Sequence, residues 1–153
     1  MLDLIIKNGS CYIDKDLKDQ DIAIKDGKII KIGKIDSEAK ETFDAEGLTV
    51  LPGCIDTQTH FREPGSTDTE DLHSGSRAAI VGGITSVFEM PNTNPPTSTK
   101  VEFQKKLDLA KNRMYCNYAF YFGATADNAS ELADLVNLEG CCGIKLFAGS
   151  STG

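Results

Sequence analysis

Apolar and polar positions alternate over short spans through the first fifty residues, and then give way to apolar runs separated by wider, helix-like spacing. Residues 2–7 (Leu-Asp-Leu-Ile-Ile-Lys) predict a strand, Asn8-Gly9 a turn, and 10–13 a second strand. Residues 21–25 run into Asp26-Gly27 and on to 28–32. An Asp-Gly step between alternating apolar residues is a strong hairpin signal, because a type I′ turn needs positive φ at both central residues. Residues 42–44 precede a further turn at Gly47. The stretch 1–50 therefore reads as a small β-sandwich-like module.

From Leu48 the rhythm changes. Residues 48–55 are rich in β-formers and short enough to be one buried strand, and 84–90, 116–122 and 141–147 read as three more. Between them lie helical patterns over 71–81, stopped by Gly82-Gly83, over 98–112, and over 128–138, closed by Gly140. Strands alternating with helices predict βαβ units, here with parallel strands near 50–56, 84–90, 116–122 and 141–147 side by side. The expected fold class is α/β: the β-module of 1–50, then over 51–153 the first half, about four βα units, of a TIM-like barrel. Ligands in such sheets gather at the strand C-termini. The polar runs 56–65, 91–97 and 149–153 fall there.

Composition narrows the classes. A net charge of −7 leaves no basic stripe for phosphates, which excludes a nucleic-acid binder. No apolar run approaches a membrane span and the first residues do not open a signal peptide, so a cytoplasmic protein is expected. Five cysteines without Cys-x-x-Cys spacing predict buried reduced thiols rather than structural zinc or a disulfide framework.

The chemistry concentrates in Asp56-Thr57-Gln58-Thr59-His60-Phe61-Arg62-Glu63-Pro64-Gly65. Period-two spacing puts Asp56, Gln58 and His60 on one side of a strand end. A carboxylate, a polar group and an imidazole converging there is how a metal-dependent hydrolase begins its site. The plainer reading is a solvated strand exit with one incidental histidine.

Three stretches carry a resemblance: 51–65 (Leu-Pro-Gly-Cys-Ile-Asp-Thr-Gln-Thr-His-Phe-Arg-Glu-Pro-Gly), 82–95 (Gly-Gly-Ile-Thr-Ser-Val-Phe-Glu-Met-Pro-Asn-Thr-Asn-Pro) and 143–147 (Gly-Ile-Lys-Leu-Phe). Together they resemble the dihydroorotase family of the amidohydrolase superfamily, in its N-terminal part. The resemblance implies a metal-dependent cyclic amidohydrolase that interconverts N-carbamoyl-aspartate and dihydroorotate in pyrimidine biosynthesis. Zinc is the implied cofactor, with His60 and Lys145 at metal-ligand positions, the lysine carboxylated. Arg62 and Asn92 are implied to hold the substrate carboxylate, which an arginine fork grips bidentately.

Without the resemblance, each residue has a plainer role open to it. Lys145 is then a strand-end lysine snorkelling to water, Asn92 a turn residue, and Arg62 a surface cation pairing with Glu63 or Asp56. Glu89 and Met90 then merely finish a strand, and His73 is solvated. Two departures from the family pattern bear on activity. Gln58 stands where the first ligand histidine is expected, and no residues match the family's later histidines or its catalytic aspartate. Hence no catalytic residue is assigned, and the chain is expected to be incomplete in isolation. It would work with a separately encoded C-terminal half or as a homo-oligomer; otherwise it is a non-catalytic binding or scaffold partner, or a truncated remnant.

Overall fold

The computed structural model describes residues 1–149. The run 150–153, counted above among the strand-end polar residues, lies outside them. Two compact units divide the chain, Met1–Pro52 and Gly53–Gly153.

The first unit is one mixed sheet built from β1 (Leu2–Ile13), β2 (Asp16–Lys25), β3 (Lys28–Gly33), β4 (Ala39–Asp44) and β5 (Thr49–Val50). Its order is β3-β2-β1-β4, with β5 also on β1. Both β1–β2 and β2–β3 are antiparallel, whereas β4 and β5 run parallel to β1. Ile5, Ala23 and Ile35 form its small core. The Asp26-Gly27 hairpin forms as expected, with φ of 51° and 71°.

The turn expected at Asn8-Gly9 does not. There β1 runs straight on, and Asn8 at φ 60° marks a bulge where the register slips between Ile6 and Gly9. A Cβ on Gly9 would lie 2.6 Å from a Val50 methyl, so glycine serves close approach here rather than chain reversal. The reversal comes instead at Asp14 and Lys15, whose φ values of 53° and 71° make a two-residue turn without any glycine.

The second unit contains β6 (Cys54–Thr59), α1 (Leu72–Val81), β7 (Ile84–Glu89), α2 (Lys100–Ala110), β8 (Asn117–Gly123), α3 (Leu132–Leu135) and β9 (Cys141–Lys145). The sheet order is β6-β7-β8-β9, and every neighbouring pair is parallel. This is the expected half-barrel. Asp71 accepts from the Ser74 amide and Thr99 from that of Glu102, each capping its helix at the N-terminus. One face of the sheet supplies Val87, Phe120 and Phe122 to a core with Leu72 of α1, Phe103 and Ala110 of α2, and Leu135 of α3.

Three expectations are corrected. The strand expected over 48–55 splits: Thr49–Val50 pairs with β1, Pro52 and Gly53 interrupt the ladder, and the barrel strand begins at Cys54 and reaches Thr59. It is an edge strand, so Ile55 stays 59% exposed rather than buried, and Cys54 is exposed as well. The helix expected over 128–138 contracts to a 3₁₀ turn at Ala129–Glu131 and the short α3. There Asn128 donates to the carbonyls of Ser98 and Gly123, pinning the segment to the exit of β8. The cysteines are all free, but of the thiols expected to be buried only Cys11 and Cys116 are, with Cys141 and Cys142 half-buried; desolvation pushes the Cys142 thiol up to about 12.

Candidate functional site

The C-terminal ends of β6 and β7 meet through a buried carboxylate. Glu89, the last residue of β7, is 1% exposed. It accepts from the Thr59 hydroxyl (2.8 Å) and from the Phe61 amide (3.0 and 3.1 Å), the two residues on either side of His60. With the Thr59 side chain drawn to Glu89, Gln58 and His60 project from the opposite face of the chain. The His60 Nδ1 then meets Asn92 Oδ1 at 2.9 Å. In the neutral tautomer that carries its proton on Nδ1, the ring donates to this amide oxygen and keeps the lone pair on Nε2.

Asp56 does not share that alternation cleanly. The ladder between β6 and β7 slips between Asp56 and Thr59, and Asp56 Oδ1 accepts from the Gln58 amide at 2.9 Å. Strict period two, on which the grouping of 56, 58 and 60 rested, is broken at that point.

Arg62 follows at φ 59°, a left-handed conformation that turns the chain into the Glu63-Pro64-Gly65 loop. It lines an open pocket of about 380 Å³ with Pro64, Ser66, Asn92, Thr93 and Asn94. Arg62 pairs with neither Glu63 nor Asp56. Glu63, only 6% exposed, takes both Arg113 nitrogens (2.7 and 3.1 Å) and the Leu72 amide (2.9 Å). That leaves the Arg62 guanidinium without a carboxylate partner among the described residues. Larger clefts flank α2, but they lie away from the His60–Asn92 pair.

Lys145 ends β9, beside Gly123 of β8. Phe122 and its partner Ile144 belong to the helix-facing core, so Lys145, one residue on, projects from the other face. This is the face of Gln58 and His60, and also of Tyr121, which meets Phe88 edge-on. The structure thus joins His60 to Asn92, sets Arg62 and Asn92 in one pocket, and puts Lys145 on the same face at the end of β9, three strands from β6. The Lys145 ammonium lies 5.2 Å from the Phe147 ring centroid.

The residues present do not make a complete metal centre for the zinc that the resemblance implies. Among the described residues, no three of His, Cys, Asp and Glu converge. His60 offers one nitrogen, Gln58 a neutral amide, and Lys145 a cation, whereas tetrahedral zinc takes about four nitrogen, sulfur or carboxylate donors.

Sequence reasoning missed Glu89 and its partner. The Lys106 Nζ, on α2 and 0% exposed, donates to the Met90 carbonyl at 2.9 Å and lies 3.6 Å from Glu89 Oε1. Burial holds the Glu89 carboxyl above its ordinary range, a shift that Lys106 opposes, and it lowers Lys106 to about 8. The available signal was a glutamate in an otherwise apolar run, 84–90, with a lysine at a core-facing helical position. His73, read as solvated, is exposed and meets the Tyr115 hydroxyl at 3.2 Å.

Residues 49–140 match the model of the amidohydrolase family. An allantoinase of Escherichia coli O1:K1 / APEC is 41% identical over 146 residues, covering 95% of this chain and 32% of its own length. Among solved structures, L-hydantoinase (dihydropyrimidinase) from Arthrobacter aurescens superposes with a TM-score of 0.89 at 34% identity, over 100% of this chain and 35% of that one. A D-hydantoinase follows with 0.77 at 33%, over 92% and 32%. The chain thus spans about a third of the length of the curated relatives it matches. A half-barrel with its polar residues at the strand ends, matched by the family model across most of both, settles the lineage: this chain belongs to the amidohydrolase family.

Proposed function

We propose that this chain carries the substrate-carboxylate side of a cyclic amidohydrolase site. Arg62 and Asn92 grip the substrate, and His60 and Lys145 face the metal on which the superfamily generally depends. The carrying observation is the pocket in which Arg62, without a carboxylate partner among the described residues, and the imidazole-bonded Asn92 stand together at the strand ends. A guanidinium fork selects a planar anion. The ring it favours therefore bears a carboxylate, as dihydroorotate does and allantoin and simple hydantoins do not. The relatives' names favour the cyclic ureides instead, so substrate choice is the point to test.

The remaining donors and the general base belong to the later strands of such a barrel. The test is turnover with that part added in trans and zinc present, on dihydroorotate, N-carbamoyl-aspartate, allantoin and hydantoin in parallel. Hydrolysis of dihydroorotate that disappears with Arg62→Ala supports the reading. Turnover of only the uncharged rings moves the chain to its allantoinase and hydantoinase relatives. Gln58, exposed and a weak donor where a histidine ligand is expected, favours a second reading: a non-hydrolytic partner that binds the carboxylate without a reaction. Binding of N-carbamoyl-aspartate with no turnover in the complemented barrel would select it.

A further inference from the structure

We propose that Glu89 and Lys106 are positioning residues that lock the His60–Asn92 pair into one geometry and one tautomer. The inference rests on reading His60 and Asn92 as site residues. Glu89 accepts from both residues flanking His60, so the side chain before the imidazole and the backbone amide after it are fixed to one carboxylate. Lys106 holds the Met90 carbonyl, two residues before Asn92. The Met90 amide in turn donates to the Thr59 carbonyl at 2.9 Å, closing the connection between the two strand ends. Each half of the pair therefore steadies one partner of the 2.9 Å contact between His60 Nδ1 and Asn92 Oδ1.

A buried ion pair adds little stability over well-packed apolar side chains of similar volume. The Thr59 hydroxyl and the Phe61 amide at the β6 exit and the Lys106 ammonium of α2 nonetheless converge on this one carboxylate, which an apolar residue cannot reproduce. What the pair adds is direction: Nδ1–H toward Asn92, and the Nε2 lone pair toward the open face.

The chain has two histidines, so ¹⁵N imidazole spectra are readily assigned with His73→Asn. The wild type should show a protonated Nδ1 and a bare Nε2 at His60. Glu89→Gln alone keeps an oxygen to accept from Thr59 and Phe61 and leaves Lys106 on the Met90 carbonyl, and should retain that signature. Glu89→Leu with Lys106→Met removes the acceptor, and should lose the signature to a mixture of tautomers while circular dichroism stays native. Thr59→Val, which deletes a single contact and leaves the core intact, should give a partial loss. An unchanged His60 signature in the folded Glu89→Leu/Lys106→Met chain, or in Thr59→Val if that chain does not fold, overturns the proposal. No substrate or metal enters the measurement. A failure here is therefore distinct from a failure of the hydrolase reading, which shows as absent turnover.

Discussion

Two side chains decide how much chemistry the strand ends support. Gln58 and His60 leave the chain on the same face, but only the imidazole is a good donor for a transition metal. Gln58→His should tighten zinc binding on the order of tenfold, one extra ligand in an incomplete shell, as read by competition with a chromogenic chelator. Retention of stoichiometric zinc by the unaltered chain through dialysis would contradict that incomplete shell. Arg62 is the second. A charged hydrogen bond contributes about 1.5–3 kcal/mol, so Arg62→Ala should weaken N-carbamoyl-aspartate binding roughly 10- to 150-fold in calorimetry. Arg62→Lys should recover little, because a point charge does not copy the fork. Equal affinity in all three chains would remove the carboxylate role.

At the scale of elements, the strand–helix contacts hold the site's supports. Helix α1 packs so closely on the β6 exit that a Cβ on Gly75 would lie 2.4 Å from the Phe61 ring. Gly75→Ala should cost about 1–3 kcal/mol by overpacking, seen as a lowered urea midpoint. The β7–α2 pair makes stability depend on pH in two windows. Lys106 titrates near 8 in the fold, below its ordinary 10.5, so the unfolded chain holds a proton there that the native chain has released. Stability should therefore rise between pH 8 and 10.5. Glu89 lies above its ordinary 4.5, so its contribution is present below that value and declines as pH rises through the folded value. The difference in melting temperature between the wild type and Glu89→Gln/Lys106→Met, followed across both windows, should show these opposite slopes. A flat difference would mean that the pair titrates as it does in the unfolded chain.

These elements also show what could be read from sequence and what could not. Parallel strands were legible because apolar runs and amphipathic stretches alternate with capping residues such as Asp71 and Thr99 in place. The Asp26-Gly27 hairpin was legible for the same local reason. Asn8-Gly9 misled because glycine serves close packing as often as chain reversal, and only the distance to Val50 separates the two. The site residues His60, Arg62, Asn92 and Lys145 stood out by chemistry and by resemblance. Glu89 and Lys106 did not, since their meaning lies in a contact between residues 17 positions apart that no local period encodes.

For the whole molecule, the four-stranded parallel sheet leaves β6 and β9 as edges among the described residues. Leu146 is 67% exposed just beyond β9, while Ile144 packs against the core. Ile29 and Ile30 of the first unit's edge strand β3 are also exposed, at 60% and 55%. Unpaired edges flanked by apolar side chains favour association. We therefore expect the 153-residue chain to sediment as a dimer or larger species at micromolar concentration, and a fragment carrying further strands to return it to a single defined complex. A stable monomer that ignores such a fragment would argue against both the homo-oligomer and the split barrel.

The order β6-β7-β8-β9 is also the order of synthesis. Each strand emerging from the ribosome finds its neighbour already in place, so the sheet can grow one βα unit at a time as each helical crossover closes. The first unit is different, because β1 must hold an open side until β4 and β5 arrive to pair parallel with it. During translation the nascent chain therefore presents a growing strand edge, first on β1 and then on the newest barrel strand, besides the outer edges of β3 and β6. Its yield in a cell should depend on how fast the ribosome moves and on which chaperone meets that edge first.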